Sequence, residues 1–115
     1  MHRFLPGQLG VEQGWVMLFS DVEDDGPMWT GQGAREVRRR VRFSEAFVRP
    51  PAVMVGLSMW DLDQATNQRG DLRAEAVAVG GFELVFSTWA DTRVARIRVD
   101  WTAFGDLASD DLWDV

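Results

Sequence analysis

Six short runs of β-branched and aromatic residues, each bounded by turn residues, constrain the fold of this chain most strongly. Runs of this composition and length are typical of β-strands. Six strands at this spacing favour an antiparallel sandwich over alternating β-α-β units. The fold class predicted from the sequence is therefore all-β, a six-stranded antiparallel β-sandwich. The runs are Trp15–Ser20, Arg35–Phe43, Ala52–Trp60, Leu72–Val79, Phe82–Trp89 and Arg93–Trp101.

Period-two alternation within the second run explains its cluster of arginines. Val37, Val41 and Phe43 fall on one predicted face, and the opposite face carries arginines at 38, 40 and 42. The exception is Arg39, which falls among the inward positions and is expected near a sheet edge, a bulge or a paired acid. The run is thus interpreted as a solvated strand face and not as a nucleic-acid patch.

The turns between strands are also marked in the sequence. Gly80-Gly81 separates two of the runs and predicts a hairpin or a bulge. Asp91-Thr92 supplies the turn before the last run. The acidic loop 21–34 and the polar loop 61–71 are both expected at the surface.

Composition excludes several classes of function. With 115 residues the chain supports one core, and with no cysteine and a single histidine it offers no disulfide, no soft-metal site and no histidine-based triad. The net charge of -6 disfavours nucleic acid and anionic membranes as partners. We expect no nucleic-acid partner and no membrane insertion.

No basic-then-apolar leader opens the sequence, and no apolar run approaches the roughly 18 residues of a membrane span. The chain is accordingly expected to be made in the cytoplasm without a signal peptide. Its site of action is left open, with an extracellular location or a particle as alternatives.

Acidic side chains raise two further hypotheses about a site. The carboxylates at 21, 23, 24 and 25 suggest calcium, but the spacing of an EF-hand loop is absent. Asp61 and Asp63 resemble a glycosidase pair, although a structural role is favoured, in which Asp61 accepts loop N–H groups. No nucleophile lies beside a base, so the sequence predicts neither an enzyme nor a metal or cofactor.

Three residues on loops and turns suit the binding of a neutral polyhydroxylated ligand. Arg69 offers a fork of donors, Gln32 offers a donor and an acceptor, and Trp89 offers an aromatic face for the C–H side of a sugar ring. Two structural alternatives remain open at this stage. Trp89 would then be a core ring that closes the end of the sandwich, and Arg69 would form a salt bridge with an aspartate at 61, 63 or 71.

Several motifs in order, "RFSEAFVRPPAVMVGLSMWDLD", "NQR", "GGFELVFSTWADTRV" and "VDWTAFG", resemble the H-type lectin domain. The resemblance extends from about Gly14 to Gly105. It divides the chain into an N-terminal segment 1–13, a sandwich domain 14–105 and an acidic tail 106–115. It implies a homotrimer of six-stranded sandwiches that binds galactose-type sugars, commonly N-acetylgalactosamine, without calcium or catalysis.

The resemblance also implies which residues bind sugar. The sugar-binding arginine, two residues after an asparagine, corresponds to Arg69 after Asn67, and the tryptophan of a T-W-x-x-T turn corresponds to Trp89. In the implied trimer, Trp89 lines a groove at the boundary with the neighbouring copy. The family's acidic residue, which accepts hydrogen bonds from sugar hydroxyls, corresponds to Gln32. An earlier residue of the same loop, which contacts the sugar through its backbone, corresponds to Thr30.

This sequence departs from the family's pattern at three of its positions. Besides Gln32 in place of the acid, Ala90 replaces a histidine and Ala95 replaces a tyrosine. A neutral amide makes weaker hydrogen bonds than a carboxylate, so sugar recognition is expected to be weakened or redirected.

Two hypotheses for function follow. In the first, the chain is a lectin-like module for galactose- or N-acetylgalactosamine-type glycans in cell-surface attachment, with three weak sites combined by trimerisation. In the second, it is a structural trimeric attachment or spike component of a larger phage-like or secreted assembly with a degenerate sugar site. The acidic tail carries three isolated apolar residues, Leu107, Leu112 and Trp113. It is interpreted either as a frayed end or as the segment that docks on that assembly through these residues.

Overall fold

The computed structural model, which describes residues 1–108, contains six strands and one turn of helix within that range. In chain order these are β1 (Gln8–Phe19), α1 (Pro27–Thr30), β2 (Arg35–Arg42), β3 (Ala52–Leu62), β4 (Asp71–Ala78), β5 (Gly81–Thr88) and β6 (Val94–Leu107). Every strand pair is antiparallel. The predicted six-stranded antiparallel sandwich is confirmed.

The strands form two three-stranded sheets. The first sheet has the order β1-β6-β3 and the second has the order β2-β5-β4. The central strands β5 and β6 carry most of the fully buried side chains. Each has a hydrogen-bonded strand on both sides and packs against the facing sheet. The predicted Gly80-Gly81 turn connects β4 to β5, and a register shift between Glu75 and Ala78 makes a bulge just before it.

An aromatic cluster fills the interior at one end of the sandwich. The ring centroids of Phe43 and Phe47 are 5.1 Å apart, and the Phe82 ring lies 5.6 Å from Trp101 and 5.9 Å from Phe43. Gly14 lies opposite Trp101 in the pairing of β1 with β6, and a Cβ at Gly14 would come within 2.7 Å of the indole. Glycine at this position therefore makes room for the large ring.

The outer face of the second sheet is covered by ion pairs. Arg38 pairs with Glu36 at 2.8 Å and with Glu83 at 2.9 Å, and Arg73 pairs with Glu36 at 3.0 Å. Hydrogen bonding to Arg38 lowers the pKa of Glu36. Val85 lies between the two arginines in register and is fully buried although it is on this face. The arginine-rich run of β2 is thus a charged strand face, as predicted.

Arg39 is the inward exception on β2. Its guanidinium donates to the carbonyl of Leu18 at 3.5 Å, and β2 is an edge strand of the second sheet. The expectation that this residue lies near a sheet edge is confirmed.

The ends of the sandwich extend beyond the strand runs seen in the sequence. β1 begins at Gln8, inside the expected N-terminal segment, and β6 continues to Leu107, inside the expected tail. The buried carboxylate of Asp106 accepts hydrogen bonds from the Arg49 guanidinium and from the backbone N–H of Leu5. Of the three apolar residues predicted to dock, Leu107 is the last residue of β6 and packs against the core, so its assignment to a free tail is wrong. The other two, Leu112 and Trp113, lie outside the described residues. No helix within residues 1–108 is long and apolar enough to cross a membrane.

Candidate functional site

Three segments that are distant in sequence meet at one end of the sandwich: the loop after α1, the loop between β3 and β4, and the turn between β5 and β6. The backbone N–H of Gly33 donates to the carbonyl of Ala90 at 2.9 Å, which joins the first segment to the third. Ala90 has a positive φ of 61°, so its carbonyl is presented by a tight turn.

Arg35, the first residue of β2, ties the loop after α1 to the same turn. Its guanidinium donates to the carbonyls of Gly33 at 2.9 Å and Ala90 at 3.1 Å. Longer bonds reach the carbonyls of Pro27 at 3.4 Å and Met28 at 3.3 Å in α1. One side chain therefore sets the position of the helix, the loop and the turn together.

Two buried threonines hold the loop between β3 and β4. The hydroxyl of Thr88 donates to the carbonyl of Arg69 at 2.6 Å, and the hydroxyl of Thr92 donates to the carbonyl of Asn67 at 2.6 Å. The Thr92 hydroxyl also accepts the backbone N–H of Arg69 at 3.1 Å. These two hydroxyls belong to the threonines of the T-W-x-x-T turn. Their hydrogen bonds hold the loop that carries Arg69.

Asp91 lies between the two threonines of the turn and faces the same loop. Its carboxylate accepts a hydrogen bond from the Asn67 side-chain amide at 3.1 Å and one from the Asn67 backbone at 3.5 Å. The hydrogen bond from the Asn67 side chain, joined by the positive charge of Arg69, lowers the pKa of Asp91. The group is therefore a carboxylate at neutral pH.

Three contacts hold the side chain of Arg93 at the edge of the site. Its guanidinium stacks 4.1 Å above the Trp29 ring and donates to the Trp29 carbonyl at 2.9 Å. It also pairs with Asp63 at 3.2 Å. Stacking on an aromatic ring combined with two directed hydrogen bonds uses the planar geometry of arginine, so this side chain is held in one orientation.

A surface pocket of about 380 Å³ opens where these segments meet, and its lining combines hydroxyl, amide and charged groups. Its lining residues are Thr30, Gly31, Gln32, Thr66, Asp91 and Arg93. Two of the four predicted site residues, Thr30 and Gln32, thus lie in one pocket. The Thr30 hydroxyl donates to the Gly26 carbonyl at 3.1 Å, which leaves its oxygen free to accept.

The other two predicted residues, Arg69 and Trp89, lie next to this pocket without being part of its lining. Arg69 follows the held loop and is exposed. Trp89 precedes the turn at Ala90 with 42% of its surface exposed, so it is not a buried ring that closes the sandwich. The structure brings all four predicted residues to one end of the molecule and places two of them in direct contact with the pocket.

The salt-bridge alternative for Arg69 is not observed among the described residues. The three aspartates that could form it pair with other arginines: Asp61 with Arg96, Asp63 with Arg93 and Asp71 with Arg73. The guanidinium of Arg69 is therefore available to a ligand.

The role expected of Asp61 belongs to Asp63. Asp61 pairs with Arg96 at 2.8 Å across the first sheet, whereas Asp63 accepts the backbone N–H of Ala65 at 2.8 Å and stiffens the loop. The expectation was wrong by two residues, because β3 continues to Leu62 and the loop begins later than the sequence indicated.

The acidic loop before α1 has a structural role. The carboxylate of Asp21 accepts the backbone N–H of Met28 at 2.9 Å, and its carbonyl accepts the N–H of Gly26 at 2.9 Å. Within residues 1–108, no group of three or more histidine, aspartate or glutamate side chains is placed to hold a metal ion.

Sequence reasoning did not assign a binding or positioning role to Asp91, Arg93 or Arg35. The sequence marks Asp91 only as a turn residue, and Arg35 and Arg93 only as the first residues of predicted strands. The two threonines that flank Asp91 in "TWADT" are the one local sign that this turn forms hydrogen bonds with a neighbouring segment. The partners of the two arginines are distant in sequence, so no local pattern marks them.

Comparison with known proteins adds family information to this geometry. The profile of the H-type lectin domain matches residues 38–104. The chain is 53% identical over 111 residues to a Fuscovulum blasticum protein named "ATP synthase subunits region ORF 7", with 96% of each chain covered.

Two further similarities are to proteins of Dictyostelium discoideum. A discoidin-1 polypeptide is 35% identical over 99 residues, which cover 85% of this chain and 38% of the relative. The solved structure of recombinant discoidin II superposes with a TM-score of 0.73 at 26% identity, covering 84% of this chain and 37% of that one. The chain therefore spans less than two fifths of the length of these discoidins.

Proposed function

This chain belongs to the H-type lectin domain family, and on that basis we propose that it is a lectin that binds galactose- or N-acetylgalactosamine-type glycans and catalyses no reaction. Membership of the family supports a lectin-like, carbohydrate-binding domain. The choice of sugar and a role in attachment to glycan-bearing surfaces are part of the proposal.

The convergence of three loops on one pocket carries the proposal. The loops bring an available guanidinium, a half-exposed indole, an amide and a carboxylate to one end of the sandwich. Hydrogen bonds from side chains and backbone to backbone groups of the loops hold all three segments in place. A fixed set of directed polar groups beside an aromatic face is what recognition of a hydroxylated ring requires. A site fixed before binding also reduces the entropy cost of binding.

Each predicted residue has a distinct proposed role. Arg69 donates hydrogen bonds to sugar hydroxyls, Trp89 covers the C–H face of the ring, and Gln32 and Thr30 orient the ring from the pocket side. The exposed Arg69 guanidinium has no ion-pair partner within residues 1–108, so binding a sugar need not break an existing salt bridge.

A glycan-array screen of the wild-type protein beside Arg69→Ala tests the proposal. We expect the wild type to bind galactose-type glycans and the variant to lose most of that signal, because the variant lacks the main donor. Arg42→Ala is the matched control, since Arg42 is also exposed but pairs with Gly81 at the opposite end of the second sheet.

Silence from a well-folded wild-type protein across the array would overturn the proposal. The hypothesis of a structural attachment component with a degenerate sugar site would then be favoured, and Gln32 at the acidic position of the family agrees with it. Equal binding by wild type and Arg69→Ala would instead place the sugar elsewhere on the chain.

We also propose that the chain acts as a homotrimer, which would combine three weak sites on a multivalent surface. The outer face of the first sheet supports self-association, because alternate residues of β1 expose apolar side chains there. Trp15 is 68% exposed, and Met54 of β3 extends the patch. The second sheet is covered by ion pairs on its outer face, so the two faces differ sharply. The apolar side chains of β1 are Leu9, Val11, Trp15 and Met17.

Trp15→Glu tests this surface. We expect the variant to sediment as a monomer under conditions in which the wild type is a trimer, because a charge would be buried at the contact. Val79→Glu is the control, since Val79 is also exposed but lies in the turn between β4 and β5 of the second sheet. A wild type that sediments as a monomer would refute the trimer, and a trimeric Trp15→Glu would refute the choice of surface.

A further inference from the structure

The pocket beside Arg69 contains one carboxylate that no sequence expectation used for binding. We infer that Asp91 is the residue that accepts hydrogen bonds from ligand hydroxyls in this pocket, and that the ligand is a neutral sugar with free hydroxyls. This inference rests on the proposed carbohydrate binding and assigns the acceptor within that site.

Among the lining residues, Asp91 is the ionised acceptor. Thr30 and Thr66 contribute hydroxyls, and Gln32 contributes a neutral amide. Arg93 carries a positive charge that is balanced by Asp63 at 3.2 Å and held by its stack on Trp29 at 4.1 Å. Within the lining, Asp91 is the group that brings a negative charge without an arginine hydrogen-bonded to it.

The carboxylate retains room for a ligand. An ionised carboxylate has about four lone-pair sites. The Asn67 side-chain amide lies 3.1 and 3.4 Å from its two oxygens, the Asn67 backbone N–H lies at 3.5 Å, and the backbone N–H of Asp91 itself also bonds to the carboxylate. The distances from Asn67 are long for charge-assisted hydrogen bonds. Asp91 is also exposed. A sugar hydroxyl can therefore bind without displacing Asn67.

Hydrogen bonds on both sides hold the turn that carries Asp91, so the acceptor is positioned before the ligand arrives. Ala90 accepts hydrogen bonds from Gly33 and Arg35 on one side, and Thr92 is fully buried with its hydroxyl bonded to the loop on the other. The same contacts fix the position of Gln32 beside Asp91 in the pocket lining. Preorganisation of this kind favours binding, because little freedom is lost when the ligand binds.

The charges of the site define the ligand class. Asp91 accepts and Arg69 donates, and the two lie on segments joined by hydrogen bonds: Asn67, two residues before Arg69, donates to Asp91, and the Thr92 hydroxyl accepts the Arg69 N–H. A neutral hydroxylated ring supplies both the hydrogens that Asp91 needs and the oxygens that Arg69 needs. Hydrogen bonds to an ionised acceptor are roughly twice as strong as neutral ones, so this carboxylate is expected to carry much of the affinity.

The test compares Asp91→Asn with wild type by NMR titration with galactose and N-acetylgalactosamine. Asparagine keeps the shape and an oxygen for the Asn67 amide but removes the charge. We expect binding to weaken about tenfold, the loss typical of a charge-assisted hydrogen bond. Asp24→Asn is the matched control, because Asp24 is an exposed carboxylate on the loop before α1.

A charge-restoring double variant separates a binding role from a folding role. Gln32→Glu combined with Asp91→Asn returns one carboxylate to the same pocket, and we expect it to recover part of the lost affinity. Because Gln32 stands at the acidic position of the family, Gln32→Glu is also measured alone. A purely structural Asp91 would give the same fold gain from Gln32→Glu with Asp91 intact or replaced, whereas an acceptor role gives the larger gain in the Asp91→Asn protein. The amide spectrum of each variant reports whether the fold is intact.

The outcomes for the inference and for the proposed function differ. If Arg69→Ala abolishes binding while Asp91→Asn binds as tightly as wild type, the inference is overturned and the lectin proposal stands. If the folded wild type binds neither sugar in the titration and nothing on the array, the lectin proposal fails and the inference fails with it.

Discussion

Replacing Phe82 with alanine is expected to lower the free energy of unfolding by about 3–5 kcal/mol, the usual cost of removing a large buried ring. Phe82 has no exposed surface and lies between Phe43 and Trp101 in the aromatic cluster, with ring centroids 5.9 and 5.6 Å away. The cavity would lie between the two sheets, where the backbone of β5 is held by strands on both sides and cannot collapse to fill it.

This loss is large beside the roughly 5–15 kcal/mol that separates most folded domains from their unfolded chains. Urea denaturation at one fixed protein concentration measures it, since self-association would otherwise shift the apparent stability. Phe4→Ala is the control, because Phe4 is 39% exposed and its ring contacts Phe104 of the first sheet from outside the strands. Equal losses in the two variants would show that the aromatic cluster is not the centre of the core.

Thr92→Val is expected to lower the free energy of unfolding by about 1–3 kcal/mol and to weaken sugar binding as well. Valine has nearly the same shape but no hydroxyl, so the carbonyl of Asn67 and the N–H of Arg69 both lose their partner. Thr92 is completely buried, and water cannot readily replace the lost bonds. The loop that presents Arg69 would then be held by Thr88 alone among the two threonines.

Denaturation and glycan binding are both measured, because the first reports on the buried hydrogen bonds and the second on the position of the loop. Ser87→Ala is the control: its hydroxyl bonds to the side chains of Arg73 at 3.2 Å and Glu36 at 3.3 Å on the outer face of the second sheet and not to the loop. Stability loss with unchanged sugar affinity would show that the loop keeps its bound conformation without Thr92. Unchanged stability would contradict the two hydrogen bonds assigned to its hydroxyl.

Much of the fold was readable in the sequence, and the strand bounds show why. The six predicted runs correspond to β1 through β6, because alternation of apolar and polar residues is a local property of a strand with one buried face. The predicted runs are shorter than β1 and β6 at their outer ends. Gly10 pairs with Gly105 there, and glycine has no side chain to show the alternation of apolar and polar residues. α1 was missed because one turn of helix is too short to show helical periodicity.

The candidate site was only partly readable. Resemblance in the "NQR" and "STWADT" motifs identified Arg69 and Trp89, and the structure places both at the end of the sandwich where the three loops meet. The pairings that shape the pocket were not readable, because they join residues far apart in the chain. Arg93 contacts Trp29, and Arg35 contacts Ala90, across separations that no local pattern encodes.

The sequence by itself determined the class of fold, the order of the strands along the chain and the family to which the chain is similar. These depend on local alternation and on short motifs, which persist wherever the chain folds. Only the tertiary structure decided that Arg69 has no ion-pair partner within residues 1–108, that Asp63 and not Asp61 stiffens the loop, and that Asp91 shares a pocket with Gln32. These depend on which loops the two sheets bring together, and side chains choose partners by distance in space and not by distance in sequence.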